Sequence, residues 1–292
     1  MNISIEIAKR NLKIFFRDRA AVFFSLLSLF IIISLYALFL GDIIVSEVKE
    51  IVGDKARFLM DSWIMAGTLA VTSITTTLGA FGILVNDKTK KIALDFKVAP
   101  IKRSQITAGY IISSWLIGVI MSVVALVFAE LYIVVYGGEL LSLVQLAKLL
   151  GVMLVSVLSS TAMMLFVVSF FDSNNAFASA STVIGTLIGF LTGIYVPMGS
   201  LPATVQTVIK LFPPSHAGVL YRQIMMAQPF AMSSAPTEVV EQIKDVFGVT
   251  YKMGNKVLSP IISIVILLVS GFIFFLLALL KIAGKGKHNA KV

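Results

Sequence analysis

Long apolar blocks alternate with short polar ones along this chain of 292 residues. Six of the blocks, 21–40, 63–85, 106–136, 146–171, 176–196 and 260–280, meet the length of about 20 apolar helical residues that a bilayer core requires. Their apolar runs are continuous and lack period-two alternation, so spanning helices are predicted rather than a barrel. The third and fourth blocks are longer than a span needs, which predicts tilt or projection beyond the bilayer. Ahead of the first block stands "SIEIAKRNLKIFFRDR", Ser4 to Arg19. Ile7, Leu12, Phe15 and Phe16 supply an apolar side for a helix, and Lys9, Arg10, Lys13 and Arg17 supply a basic side. Such a helix lies in the membrane interface and feeds directly into the first span. That first block outruns a usual signal-peptide core and follows a long basic lead, so it reads as a retained anchor.

Two segments break the alternation. Between the second and third blocks, "NDKTKKIALDFKVAPIKRS" (86–104) packs six Lys/Arg and two Asp into 19 residues. Ile92, Ala93, Phe96 and Ala99 nevertheless recur at helical spacing, with Lys88, Lys91 and Asp95 along another side. The pattern predicts a short amphipathic helix from about Asp87 to Ala99, stopped by Pro100. It serves either as a docking surface for a soluble partner or as a positive anchor lying on lipid. Between the fifth and sixth blocks, residues 198–259 are too apolar for an ordinary loop. Pro202, Pro213, Pro214 and Pro229 cut them too often for a span. Short amphipathic helices dipping into the outer leaflet are expected there, followed by a polar, exposed appendage over 231–256. One all-α membrane domain covers the chain.

Composition agrees with this class. The chain is 58% hydrophobic and 13% charged, where soluble domains run near about 45–50% and about 25%. The net charge of +9 and pI near 9.7 would suggest nucleic acid in a soluble protein. Here the distribution accounts for it. Fifteen of the 24 Lys/Arg fall on the N-terminus, the 86–105 loop and the C-terminus, against five acids: Glu6, Asp18, Asp87, Asp95 and Asp172. The other side is near neutral. The positive-inside rule therefore places both termini, the 86–105 loop and 172–175 in the cytoplasm, and no nucleic-acid partner is expected.

Catalytic chemistry finds no footing in the sequence. Cysteine is absent, so disulfide and thiol chemistry are excluded. No phosphate loop of the G-x-x-x-x-G-K-[ST] kind is present, and "GKGKH" at Gly284–His288 lacks its spacing. His216 and His288 have no evident Ser-plus-acid partner and belong to no metal-ligand cluster. The polar residues of the spans are the remaining candidates. Thr68, Thr72, Thr75, Thr76 and Gly79 share one face of the second span, where they either pack helices or line a pathway. Ser181, Gly185, Gly189 and Gly193 repeat every four residues, a small-residue ridge on which a neighbouring helix can approach closely. Glu130 is the one carboxylate inside an apolar run, within about two turns of the helix's outer end. Its options are a structural hydrogen bond, an interfacial position or a proton relay. Asp61, at the outer mouth of the second span, reads as an interface residue.

Taken in order, these elements resemble the ABC-2 type permease subunits of ATP-binding-cassette transporters of the exporter type, over nearly the whole chain. Three stretches carry the likeness. "KRNLKIFFRDRAAVFF" is similar to the family's connecting helix. "DKTKKIALDFKVAPIKRSQITAGY" looks like its charged coupling helix, although Asp87-Lys88 and Lys91-Ile92 stand where many relatives carry Glu-Arg and Gly-Thr. "GIYVPMGSLPATVQTVIKLFPPSHAGVLYRQIM" resembles its outer re-entrant segment through Pro197, Pro202, Pro214, His216 and Arg222. The resemblance implies a non-catalytic subunit that pairs with a second permease and docks a separate ATPase, which would bind ATP and Mg. Asp87, Lys88, Lys91, Ile92, Asp95, Phe96 and Pro100 would form the docking helix. Spans two and five would line the path, giving the threonine face and the small-residue ridge a place. A stand-alone proton-coupled carrier working through Glu130 is the alternative.

Overall fold

The computed structural model describes residues 2–92, 100–253 and 256–288. Its architecture is helical, apart from one antiparallel two-residue pair, β1 (Lys252–Met253) with β2 (Lys256–Val257).

The amphipathic lead forms α1 (Ile3–Arg17), and the first span begins as α2 (Arg19–Ser25) and α3 (Leu27–Leu35). Asp18 makes the corner between α1 and α2. Its backbone is extended, which ends α1, and its carboxylate accepts from the Ala21 N–H at 3.0 Å, which caps α2. Span one does not exit into a loop after Leu40. A π-turn at Tyr36–Leu40 carries it into α4 (Gly41–Val52), and a short 3-10 turn leads to α5 (Ala56–Thr89). The connection is helical because "GDIIVSEVKEIV" repeats its apolar residues at helical period and buries Val48 and Val52. Gly53, at φ +78°, supplies the left-handed step that ends α4.

The remaining long helices are α6 (Arg103–Val135), α7 (Leu143–Val168), α8 (Asn174–Leu191) and α13 (Pro260–His288). Ser142 and Gln145 form a reciprocal capping box at the start of α7, and the Ser173 hydroxyl caps α8. Among the described residues four helical stretches are long and apolar enough to cross a membrane: Leu27–Thr89, Arg103–Val135, Leu143–Val168 and Pro260–Ile282. The first contains both the first and second predicted spans. The fifth predicted span is not among them. It stays helical only to Leu191, 18 residues, because Gly193 turns the chain at φ +65°.

The outer segment is cut as its prolines predict, into α9 (Ala203–Leu211), α10 (Pro213–Met225), α11 (Ala227–Ala231) and α12 (Thr237–Val246). Pro213 and Pro214 occupy the first turn of α10, where a missing N–H costs nothing. The appendage is not merely exposed. Phe247, Val249 and Tyr251 are buried, and the Trp63 indole N–H donates to the Phe247 carbonyl at 2.8 Å.

Helix α5 is the axis of the molecule, buried from Phe58 to Ile74 without interruption. Around it pack α6, α7, α8 and α10, with α13 against α7 and α1 against the foot of α6. Two ends result. One gathers α1, the end of α5, the start of α6, the 169–175 turn and the end of α13. There Lys88 reaches the Phe171 carbonyl at 3.2 Å, and Lys281 lies 4.6 Å over the Phe170 ring. The other gathers α4, the turn after α6 and the outer segment. The described parts of the three basic regions, and the 172–175 turn grouped with them, therefore share one end of the bundle.

Candidate functional site at the basic end

Asp87 organises this end. It sits in the last turn of α5 and is buried, 2% exposed. Arg10 of α1 grips it through both guanidinium nitrogens, at 2.7 and 3.0 Å, and the Tyr110 hydroxyl of α6 donates to the same carboxylate at 2.5 Å. Bidentate, charge-assisted contacts of this kind are the strong ones. The hydrogen bond that Arg10 donates to Asp87 holds its guanidinium above its ordinary pKa. Arg10 also donates to the Asn11 side chain at 2.9 Å, and Asn11 donates to Ser113 of α6 at 3.1 Å. At Gly109 a methyl group would come within 2.6 Å of Ile7, so only glycine lets α1 lie this close to α6. Three helices are thus joined at the foot of the bundle.

This corrects one expectation. Asp87 faces inward, toward cationic and phenolic partners, and presents no carboxylate to a docking partner. Lys88 also belongs to α5 rather than to a separate helix. Its ammonium reaches the Phe171 carbonyl and lies 3.6 Å from Asp172. The break falls after Thr89: Lys91 takes a left-handed conformation, φ +61°, and is exposed, while Ile92 is half-buried. Asp95 and Phe96 lie outside the described residues. Pro100 is exposed just before α6.

The threonine face resolves toward packing. Thr68, Thr72 and Thr76 are fully buried and donate to carbonyls four residues back, at 2.7–2.8 Å. Thr75 is partly exposed and Gly79 is exposed. Behind them, Ser73 lies 3.1 Å from Ser156 and 3.4 Å from Ser160 of α7. A methyl at Gly118 would stand 2.6 Å from Val157 and 2.7 Å from Thr77.

The small-residue ridge of α8 is split. The Tyr195 ring covers Gly189, where a methyl would meet it at 2.1 Å, and Gly193 caps the helix. Gly185 has nothing within 4 Å of a would-be methyl, and the buried Ser181 hydroxyl has no partner among the described residues. Among the described residues, then, the ridge is open at Gly185.

Glu130 is tied locally: its carboxylate accepts from the Leu141 N–H at 3.0 Å, bracing the turn between α6 and α7. Asp61 is not a simple interface residue. It is 1% exposed and paired with Arg57 at 3.1 Å, and Arg57 also holds Asp42 at 2.8 Å and Tyr132 at 3.2 Å. A four-residue spacing of Arg57 and Asp61 signals that pair in the sequence. Nothing local signals Arg10 or Tyr110 as partners of Asp87.

The outer residues form a separate hub. Arg222 is 1% exposed, donates to the carbonyls of Gly193 at 2.8 Å and Thr192 at 3.3 Å, and lies 5.3 Å over the Trp63 ring. It places a cation on the carbonyl end of α8, where the helix dipole favours one. Burial pushes its pKa down to about 10. His216 bridges the Lys210 carbonyl at 2.9 Å and Ser263 of α13 at 3.2 Å. The carbonyl can only accept, so Nε2 carries the proton and Nδ1 faces the serine hydroxyl. Burial lowers the His216 pKa, against a smaller opposing effect of the Lys210 carbonyl. Pro197 precedes the 3-10 turn at Met198–Ser200, Pro202 precedes α9, and Pro214 lies buried in the first turn of α10.

The family model described as "ABC-2 family transporter protein" matches residues 53–280. This chain belongs to that family. It is the membrane-embedded, permease part of an ABC transporter, a multi-pass membrane protein whose family works with an ATP-binding subunit. No curated protein matches the sequence.

Proposed function

We propose that this chain is the non-catalytic permease subunit of an ATP-driven exporter in the cytoplasmic membrane. It has six spans, with α8 as the fifth, and both termini in the cytoplasm. ATP and Mg bind to a separate ATPase chain, whose closure drives alternating access through a pair of permeases, identical or paralogous. The substrate class is hydrophobic or amphipathic: a drug, lipid, peptide or glycolipid. The observation that carries the reading is the three-helix lock at Asp87. It braces the foot of α5 immediately before the charged segment, so a force applied at Lys91, Ile92, Phe96 and Pro100 would act on a rigid lever rather than a slack loop. The charge distribution supports the orientation, and family membership supports the ATPase.

The test is partner capture. Phe96→Asp is expected to abolish co-purification of the ATPase encoded alongside this chain while membrane insertion stays intact. Unchanged capture would sink the docking assignment. Transport by the purified chain on a proton gradient alone, without ATPase, would sink the permease reading altogether.

A further inference from the structure

The surface of α1 divides into three rows. Ser4, Ile7, Ala8, Asn11 and Phe15 are buried against the bundle. Lys9, Lys13 and Arg17 repeat every four residues and form a second row. Between them run Ile5 and Phe16, 46% and 40% exposed, with Leu12 half-buried against the core. An ordinary surface helix has two faces, one buried and one polar. The exposed part of this third row continues into α2, where Phe23 and Phe24 are exposed at the start of the first span.

The basic row borders a groove of about 590 Å³, lined among the described residues by Glu6, Lys9, Arg10, Lys13, Ile14 and Arg17. Lys9 is paired with Glu6 and Arg10 with Asp87. Lys13 and Arg17 make no ion pair among the described residues. The groove therefore carries a net positive charge at the foot of a membrane span, and its basic row stands between it and the apolar row of Ile5 and Phe16.

From this juxtaposition we infer that α1 seats the headgroup of an anionic glycerophospholipid, its phosphate held by Lys9, Lys13 and Arg17 and its acyl chains against Ile5, Leu12 and Phe16. Only an anionic amphiphile meets both rows at once. A free phosphate leaves the apolar row bare, and a zwitterionic lipid brings no net charge to the groove. The seat shares Arg10 with the Asp87 lock, so the lipid lies one residue from the lever proposed above. The inference rests on that reading only for its membrane placement.

Native mass spectrometry of the full-length chain tests it, with phosphatidylglycerol and phosphatidylcholine of identical acyl chains offered together. The wild type is expected to retain phosphatidylglycerol preferentially. Lys13→Gln is expected to lower that preference about fivefold, the equivalent of about 1 kcal/mol per basic residue near an anionic surface. Lys9→Gln/Lys13→Gln/Arg17→Gln should abolish it. The charge-keeping pair Lys9→Arg/Lys13→Arg should preserve it, which separates loss of charge from loss of fold. A triple variant with wild-type preference overturns the inference, as does displacement of phosphatidylglycerol by millimolar inorganic phosphate. The readout needs no ATPase, so its failure leaves the permease reading standing, and loss of ATPase capture leaves the lipid preference in place.

Discussion

Asp87 is the residue on which the charged end depends. A carboxylate in a strongly basic stretch invites reading as one more surface charge, yet it accepts from Arg10 and Tyr110 and is closed off from water. Asp87→Asn is expected to lower the stability of the detergent-solubilised protein by about 1–3 kcal/mol, since hydrogen bonds to charged groups carry that much. Tyr110→Phe should cost about 1 kcal/mol. Thermal unfolding followed by tryptophan fluorescence checks both, and equal, negligible effects would show that the lock is not structural. His216 sets a second expectation at this scale. Its folded pKa lies below the unfolded value of about 6.5. The unfolded chain therefore takes up the proton first, and stability is full above that pH and is lost as pH falls from there toward the folded pKa. Protection factors of the α10 amides, corrected for the intrinsic exchange rate, should fall between pH 7.5 and 5.5 in the wild type. They should lose that dependence in His216→Gln.

Two of the close helix contacts in this fold depend on glycine, and the glycines separate contacts made from contacts left open. Gly109 admits α1 to α6, and Gly118 admits α7 and the Thr77 methyl to α6. Gly118→Val is expected to cost about 1–3 kcal/mol by overpacking. A methyl at Gly185 would meet nothing within 4 Å among the described residues. Gly185→Leu is therefore expected to leave the fold of one subunit unchanged, and by the proposed pairing to weaken association of two permeases. Crosslinking yield set against the unfolding midpoint distinguishes the two effects; normal pairing would remove α8 from the subunit contact. The four-residue repeat of Ser181, Gly185, Gly189 and Gly193 was legible in the sequence. Its division was not, because Tyr195 returns onto Gly189 only after the chain turns at Gly193.

At the scale of the molecule, α5 ties the two ends together. Its foot is locked at Asp87 and its outer half at Trp63, which meets the outer segment through the Phe247 carbonyl and the Arg222 guanidinium. A displacement of the foot would therefore reach the outer segment through one continuous helix of 34 residues. Glu130 stands apart from this line, bound to the α6–α7 turn. Glu130→Gln is expected to retain most ATP-dependent transport, because a Gln amide oxygen still accepts from Leu141. Complete loss in a correctly assembled complex would restore the proton-relay alternative.

Hydropathy and charge alone determined the membrane class, the positions of the long helices, the proline-cut outer segment and the grouping of basic regions at one end. Each is a local property, read within a window of about 20 residues. Tertiary structure decided the rest. Asp87 faces inward because Arg10, 77 positions away, arrives on α1. Thr68, Thr72 and Thr76 are buried because α6, α7 and α10 surround α5. The charged stretch begins at Lys91 rather than Asp87 because α5 continues for a further turn while partners remain to bury it. Which side of a helix meets protein, lipid or water depends on neighbours remote in sequence, and periodicity names the sides without assigning them.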